Sequence, residues 1–381
     1  MTRSPDAAQS RGRLETPVVL LLFNRPVLTA RVFEAIRQAR PTRLFLIADG
    51  PRRTHPEDEA AVAAARGVVA HVDWNCEVVR DYYAENRGVG LRVSSGLDRV
   101  FDQVQEAVIL EDDCLPDPTF FPFCAELLAR YRDDERVMMV SGTNHLLKWK
   151  DQVQDFHFSL YGSIWGWATW RRAWKQYDYR VQSLSDPATQ AHIAALLADP
   201  EQFAHRVMTC ERVLSGAVDT WDYQWTWARL AHSGLAAVSA VNLVSNIGFG
   251  GAATHTTNPN LSQANLCRYP APASLRAPEG MTADRSYDRK TFLRMCEKPD
   301  VDSIVNQGLA LLEAGRIIHA LVFFEQAHRA QPERVEALYY KALALTRLRR
   351  AGPAIDTLQD FLQHVPDHAD ALALLDSLTG R

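Results

Sequence analysis

The sequence predicts an α/β domain built on a parallel sheet, followed by a short all-α helical array. Three observations lead there. Between Pro17 and Ser141, short Val- and Leu-rich runs alternate with helical patterns, as strands and crossover helices of a parallel sheet do. Between Gly142 and Pro278 the alternation fades, and seven of the nine tryptophans crowd into 165–174 and 221–227. Beyond residue 300, a spacing of 34 residues takes over.

In chain order, Val18–Phe23 is an apolar run suited to a strand buried on both faces. Pro26 then opens a helix to about Ala39, since a first helical turn accepts proline. Leu44–Ala48 is a second strand, stopped by the turn-forming Asp49-Gly50-Pro51. A helix from Glu57 to Val72 and a strand at Cys76–Arg80 follow. Leu97, Val100, Phe101 and Val104 share one helical face. Ala107–Leu110 is a fourth strand that runs straight into Glu111-Asp112-Asp113, and Val137–Ser141 is a fifth. The Trp- and Gly-rich stretch that follows suits the substrate half of an enzyme, although each ring taken singly is more often core.

The C-terminal pattern is periodic. Leu309 and Leu343, Ala320 and Ala354, Pro332 and Pro366, and Ala337 and Ala371 each lie 34 residues apart. Small residues in the second helix and a closing proline at that period make a tetratricopeptide (TPR) pattern, with a terminal capping helix from His368. Two repeats are fewer than such arrays normally need alone, so they are expected to pack on the preceding domain. They would hold a peptide partner, self-associate or only stabilise the chain. The domain bounds read as a disordered tail at 1–16, an α/β domain at 17–278 with halves at 17–141 and 142–278, a linker at 279–300 and the repeats at 301–381.

Composition narrows the function. A net charge of −4 and a pI near 6.3 argue against a general nucleic-acid binder. Six cysteines without CxxC pairs read as free thiols in a reducing compartment. The polar N-terminus offers no apolar signal core, and the longest apolar run is far short of a transmembrane helix. A cytoplasmic location is expected, possible contact with the inner membrane surface included.

The chemistry is expected at Glu111-Asp112-Asp113. Carboxylates at the C-terminal edge of a strand stand where open α/β sheets bind ligands. Mg²⁺ or Mn²⁺ commonly bridges such oxygens to a diphosphate. The competing view is a solvated acidic turn.

The runs VVLLLFNRP (18–26), LFLIADGP (44–51), ENRGVGLRVSSGLDRVF (85–101) and VILEDDCLPDPTFF (108–121) resemble GT-A nucleotide-sugar transferases. The nearest likeness is to the N-acetylglucosaminyltransferase that initiates complex N-glycans, and to its bacterial relatives. The resemblance covers about residues 17–255. It implies a GT-A fold and a metal-dependent transfer of a hexosyl or N-acetylhexosaminyl group from a nucleotide-sugar, a UDP-sugar above all. The acceptor would be a glycan, a lipid-linked sugar or a protein.

The resemblance also implies roles for single residues. Asp113 would hold the metal, with Glu111 and Asp112 beside it. Arg25 would lie near the nucleotide and Asp49 would hydrogen-bond the base; a helix-flanking ion pair and a turn former are the plainer alternatives. Asn86, Gly88 and Gly90 precede a helix and would let the backbone approach a phosphate, with Arg92 in the first turn as a weaker phosphate ligand. Asp222, in DTWDYQW, would be the general base of an inverting transfer, Asp219 its fallback; capping a helix is the competing role for Asp222. His255, after the glycine loop Asn246–Gly251, would join the metal or diphosphate, or be structural. No membrane anchor and stem like those of the eukaryotic enzymes is expected here, and the TPR tail is extra, which leaves the acceptor open.

Two other classes compete. One is a non-catalytic TPR scaffold carrying a vestigial transferase fold. The other is a sugar nucleotidyltransferase, which would need a glycine- and basic-rich loop that Asn24-Arg25-Pro26 does not supply.

Overall fold

A computed structural model describes residues 13–249, 263–296 and 301–380. The chain forms two compact units, the first ending at Met295 and the second containing the C-terminal helices.

In the first unit, strands β1 (Val18–Leu22), β2 (Arg43–Ala48), β3 (Glu77–Tyr82) and β4 (Glu106–Glu111) alternate with helices α1 (Pro26–Ala39), α2 (Glu57–Val68) and α3 (Val89–Phe101). Then come β5 (Cys114–Pro116), α4 (Phe120–Arg130), β6 (Val137–Ser141), β7 (Phe156–Ser159), β8 (Trp167–Trp170) and the single turn α5 (Arg171–Trp174). Helices α6 (Pro187–Leu197), α7 (Pro200–Leu214) and α8 (Asp222–Ala231), strands β9 (Leu235–Ser239) and β10 (Val244–Asn246), and helix α9 (Arg285–Met295) complete it.

Eight strands form one mixed sheet in the order β3-β2-β1-β4-β8-β6-β9-β7. The first four are mutually parallel. Strand β8 is antiparallel to both β4 and β6, so β6 points the same way as β4. The C-terminal ends of β1, β2, β4 and β6 therefore share one edge of the sheet. All five residues of β1 are buried, as its unbroken apolar run requires, and helices cover it on both sides. Each such side chain contributes roughly 2 kcal/mol of burial. A two-stranded antiparallel pair, β5 with β10, stands beyond the end of β4 and pairs Asn246 with Cys114.

Two expected bounds move. Leu14 bridges Pro41, so ordered chain begins ahead of Pro17. Inside the expected linker, α9 is a helix that buries Tyr287 and Phe292 in the first unit's core. Its polar sequence hides this, because only a few of its residues meet the core.

The second unit comprises α10 (Val301–Glu313), α11 (Ile317–Ala330), α12 (Glu336–Arg347), α13 (Ala351–His364) and α14 (Ala369–Thr379). The residues at the 34-residue spacing fall where the packing is tightest. Ala320, Ala337, Ala354 and Ala371 are fully or almost fully buried, and Leu309 and Leu343 line the cluster around Phe324. His368 caps α14, its Nδ1 accepting from the Ala371 N–H at 3.2 Å.

Candidate active site

The acidic triplet sits where β4 ends, beside the turn that leaves β1. Leu21 is in register with Glu111. One step on, the Phe23 N–H donates to Asp112 Oδ2 at 3.1 Å, and Arg25 donates to Asp113 Oδ2 at 2.7 Å. Two adjacent parallel strands thus close their C-terminal ends on each other through carboxylates. The turn itself is braced by a buried carboxylate. Asp58, at the start of α2, accepts from Asn24 Nδ2 at 2.7 Å and pairs with the Arg52 guanidinium.

Crowding sets the electrostatics. Burial pushes the Glu111 carboxyl well above its usual range, and Asp113, Asp112 and Asp222 push it further; Arg25 opposes them. Burial, then the Asp113 charge, carries Asp112 up to about 7. Asp222 stands over 100 residues away in sequence, yet its charge acts on Glu111. This brings the expected general base into the field of the triplet.

Asp222 is the first residue of α8, with Trp221 preceding it. It accepts a hydrogen bond from Thr220 Oγ1, and it is not the residue that caps the helix. The ring cluster beneath explains why α8 is held so firmly. Trp167 stacks on Trp221 with centroids 5.5 Å apart, Trp174 lies 5.3 Å from Trp225, and all four rings are buried. The tryptophans are core, and their role at the site is to fix the N-terminus of α8.

The loop from Ala84 to Gly88 is tied down by Asp49. Its carboxylate accepts from the N–H groups of Arg87 at 3.0 Å and Gly88 at 3.1 Å, and from its own neighbour Gly50 at 2.9 Å. Burial nevertheless raises its proton affinity. Asn86 adds a bond from Nδ2 to the Gly50 carbonyl at 3.0 Å. Gly88 has φ +84°, and a Cβ there would strike the Asp219 carboxylate, whose Oδ1 accepts from the Gly90 N–H at 3.0 Å. The N-terminus of α3 is thus shaped for an anion, and Asp219 stands on it.

Arg92 corrects the sequence reading. It points into the protein, 2% exposed, donating to the Ala48 carbonyl at 3.2 Å and pairing with Asp81 at 2.9 Å. Its place in the first turn of α3 faces the β2–β3 layer, so it braces the sheet instead of reaching a phosphate.

After β10, the chain returns to the triplet: the Ile247 N–H donates to the Asp113 carbonyl at 2.8 Å. Gly248 follows so closely that a Cβ on it would lie 2.1 Å from Asp113 Oδ2. His255 lies outside the described residues. Among the described residues, no three His, Cys, Asp or Glu side chains converge as a ready-made metal cage. The donor set fits the other mode of divalent binding, in which one or two carboxylates share the ion with substrate phosphates. The triplet has hard oxygens, a surplus of negative charge and glycine backbone alongside.

Sequence reasoning missed three features: the Asp58 clamp, the Gly248 contact and a pair of buried arginines treated below. Each joins segments distant in sequence, and no local pattern announces it.

No protein-family model matches the chain, and no curated protein matches it either. Among solved structures, the inositol-1-phosphate CTP transferase from T. maritima aligns over 59% of this chain and 85% of its own, at 10% identity and TM-score 0.32. A mannosyltransferase from Pyrobaculum calidifontis, in complex with GDP-Man and Mn²⁺, aligns over 97% of this chain and 81% of its own, at 12% identity and TM-score 0.33. A UDP-glucose pyrophosphorylase complexed with UDP-glucose aligns over 39% of this chain and 63% of its own, at 11% identity and TM-score 0.23. Likeness at that level carries no argument about chemistry. Among the described residues, no helix is long and apolar enough to cross a membrane.

Proposed function

We propose that this chain is a metal-dependent glycosyltransferase. It moves a hexosyl or N-acetylhexosaminyl group from a nucleotide-sugar, a UDP-sugar first, to a glycan, lipid-linked or protein acceptor, with inversion. The observation that carries the reading is the crowd of carboxylates at the end of β4, with Asp222 from a distant helix adding to its field. Uncompensated, such a cluster is costly; a divalent cation shared with a diphosphate would relieve it.

Asp113 and Asp112 would hold Mn²⁺ or Mg²⁺, with Glu111 behind them. When bound, the ion offsets charge on the departing diphosphate. The chain's own residues supply the rest. Arg25 holds Asp113 in place and presents its remaining donors at the same edge of the sheet. Asp49 fixes the loop leading to α3, and the Gly90 amide at that helix's N-terminus is taken by Asp219. Asp222, stationed by the tryptophan cluster, takes the proton of the acceptor hydroxyl as it attacks the anomeric carbon.

The test is calorimetric titration of UDP, with GDP as control, with and without Mn²⁺, on the wild type and on Asp113→Ala. The expected outcome is Mn²⁺-dependent UDP binding that the substitution weakens at least tenfold. No nucleotide binding with any divalent metal overturns the enzyme reading and leaves the scaffold.

A further inference from the structure

Below the end of β6, a cavity of about 30 Å³ is lined by Thr143, His145, Arg206, Thr226, Arg229 and neighbouring residues. That is room for roughly two water-sized groups. Two guanidiniums face it with unusual partners. Arg229 is 0% exposed and, among the described residues, donates only to backbone carbonyls, those of Gly234 and Leu160, each at 3.2 Å. Arg206 is 6% exposed, rests over the Tyr161 ring at 4.5 Å, and makes no side-chain hydrogen bond among the described residues. Among the described residues, the Nε of each, and Nδ1 of the buried His145, find no hydrogen-bond partner.

Charge makes the same point. Among the described residues, no carboxylate lies within ion-pair distance of either guanidinium. Asp288 acts on Arg229 from further away, and it is already engaged by Ser159, the Leu160 N–H and Arg285. Two buried cations that repel each other and lack a direct counter-charge are strongly disfavoured unless an anion joins them. Thr226 and Arg229 also lie four and seven residues after Asp222, on the same face of α8. The helix rise puts them about 6 and 10 Å along the axis from that carboxylate.

We propose that this cavity seats one small oxyanionic group, a carboxylate or phosphate, held between Arg206 and Arg229. The placement on the Asp222 face of α8 assigns that group to the acceptor, which would be an acidic sugar or a phosphorylated glycan. The acceptor assignment rests on the transfer reading above; the anion seat does not.

The experiment is thermal unfolding of the full chain against inorganic phosphate, glucuronate and neutral glucose, at ionic strength held by a bulky sulfonate buffer. Phosphate and glucuronate should each raise the melting temperature by several degrees, and glucose should not. Glucuronate acting at a tenfold lower concentration than phosphate identifies an acceptor's acidic group, whereas phosphate acting at the lower concentration identifies a free ion in the same seat. Arg206→Met should melt higher than the wild type without anion, having lost an uncompensated buried charge, and should lose the anion response. Should that variant fail to fold, Thr226→Phe fills the cavity with both arginines kept, and it should also abolish the response. Asp113→Asn should keep it. No anion response in the wild type, or an equal response in Arg206→Met and Thr226→Phe, overturns the seat. A retained response without Mn²⁺-dependent UDP binding would keep the seat and remove the transfer reading.

Discussion

Asp113 is touched from three directions: by Arg25, by the backbone after β10, and by Gly248 against its oxygen. The last contact yields a specific prediction. Gly248→Ala places a methyl where the carboxylate stands, so Asp113 must turn away while the strand core beneath stays packed. Metal-dependent UDP affinity should fall at least tenfold, with the melting temperature within a few degrees of the wild type; a large loss of stability with unchanged affinity would show that the backbone gives way instead. At Asp222, Asn keeps the shape and removes the basicity. The expected result is a kcat lowered by 10²–10⁴ with the donor KM little changed, read from steady-state kinetics across donor concentration. Of these two residues only Asp222 was legible in the sequence. Its Trp-flanked setting marked it, while Gly248 acquires meaning only when β10 pairs with β5.

The turn from β1 into α1 depends on α2. Asp58, 0% exposed, bonds Asn24 and Arg52, and so couples the start of α2 to the turn that carries Arg25. The bond from Arg52 holds its carboxyl down to about 2, against an ordinary 3.8. A carboxyl whose folded value is depressed stabilises the fold above its unfolded value, and that contribution is lost as pH falls through the folded one. Asp58→Asn should therefore cost about 2 kcal/mol near neutrality, since it leaves Arg52 without its partner. In urea titrations, the gap between wild type and variant should narrow below about pH 4 and close near pH 2; a gap constant across that window would mean the contribution is packing and not charge. Strands β1, β2, β3, β4 and β6, by contrast, could be placed from sequence to within a residue or two, whereas β5 and β7 to β10 could not. Runs such as VVLLL leave a doubly covered parallel strand as their one good conformation. Helix α9 could not, because its core contacts are spaced among charged residues.

At the scale of the molecule, the two units differ in how they were encoded. The C-terminal array announces itself by its 34-residue spacing, because every repeat buries alanines against the same neighbouring helix surfaces. The α/β unit has no such period. Its antiparallel β8 meets β4 across 58 to 64 residues (Ile109 with Trp167, Glu106 with Trp170), and β9 meets β7 across 77 to 83 (Ser159 with Ala236, Phe156 with Ser239), beyond what local pattern can say. Each unit closes its own core: the large clusters draw only on residues up to Phe292, and the helical ones begin at Val301. A chain ending at Met295 should accordingly fold with a single cooperative transition, keep its melting temperature within a few degrees and match the full chain in the Mn²⁺-dependent UDP titration proposed above. The expectation from repeat number runs the other way, because two repeats seldom stand alone. Calorimetric unfolding of the full and shortened chains decides between them. An unchanged transition for the α/β unit makes the array an appendage free to take a partner, whereas a drop of ten degrees or more makes it a structural support for that unit.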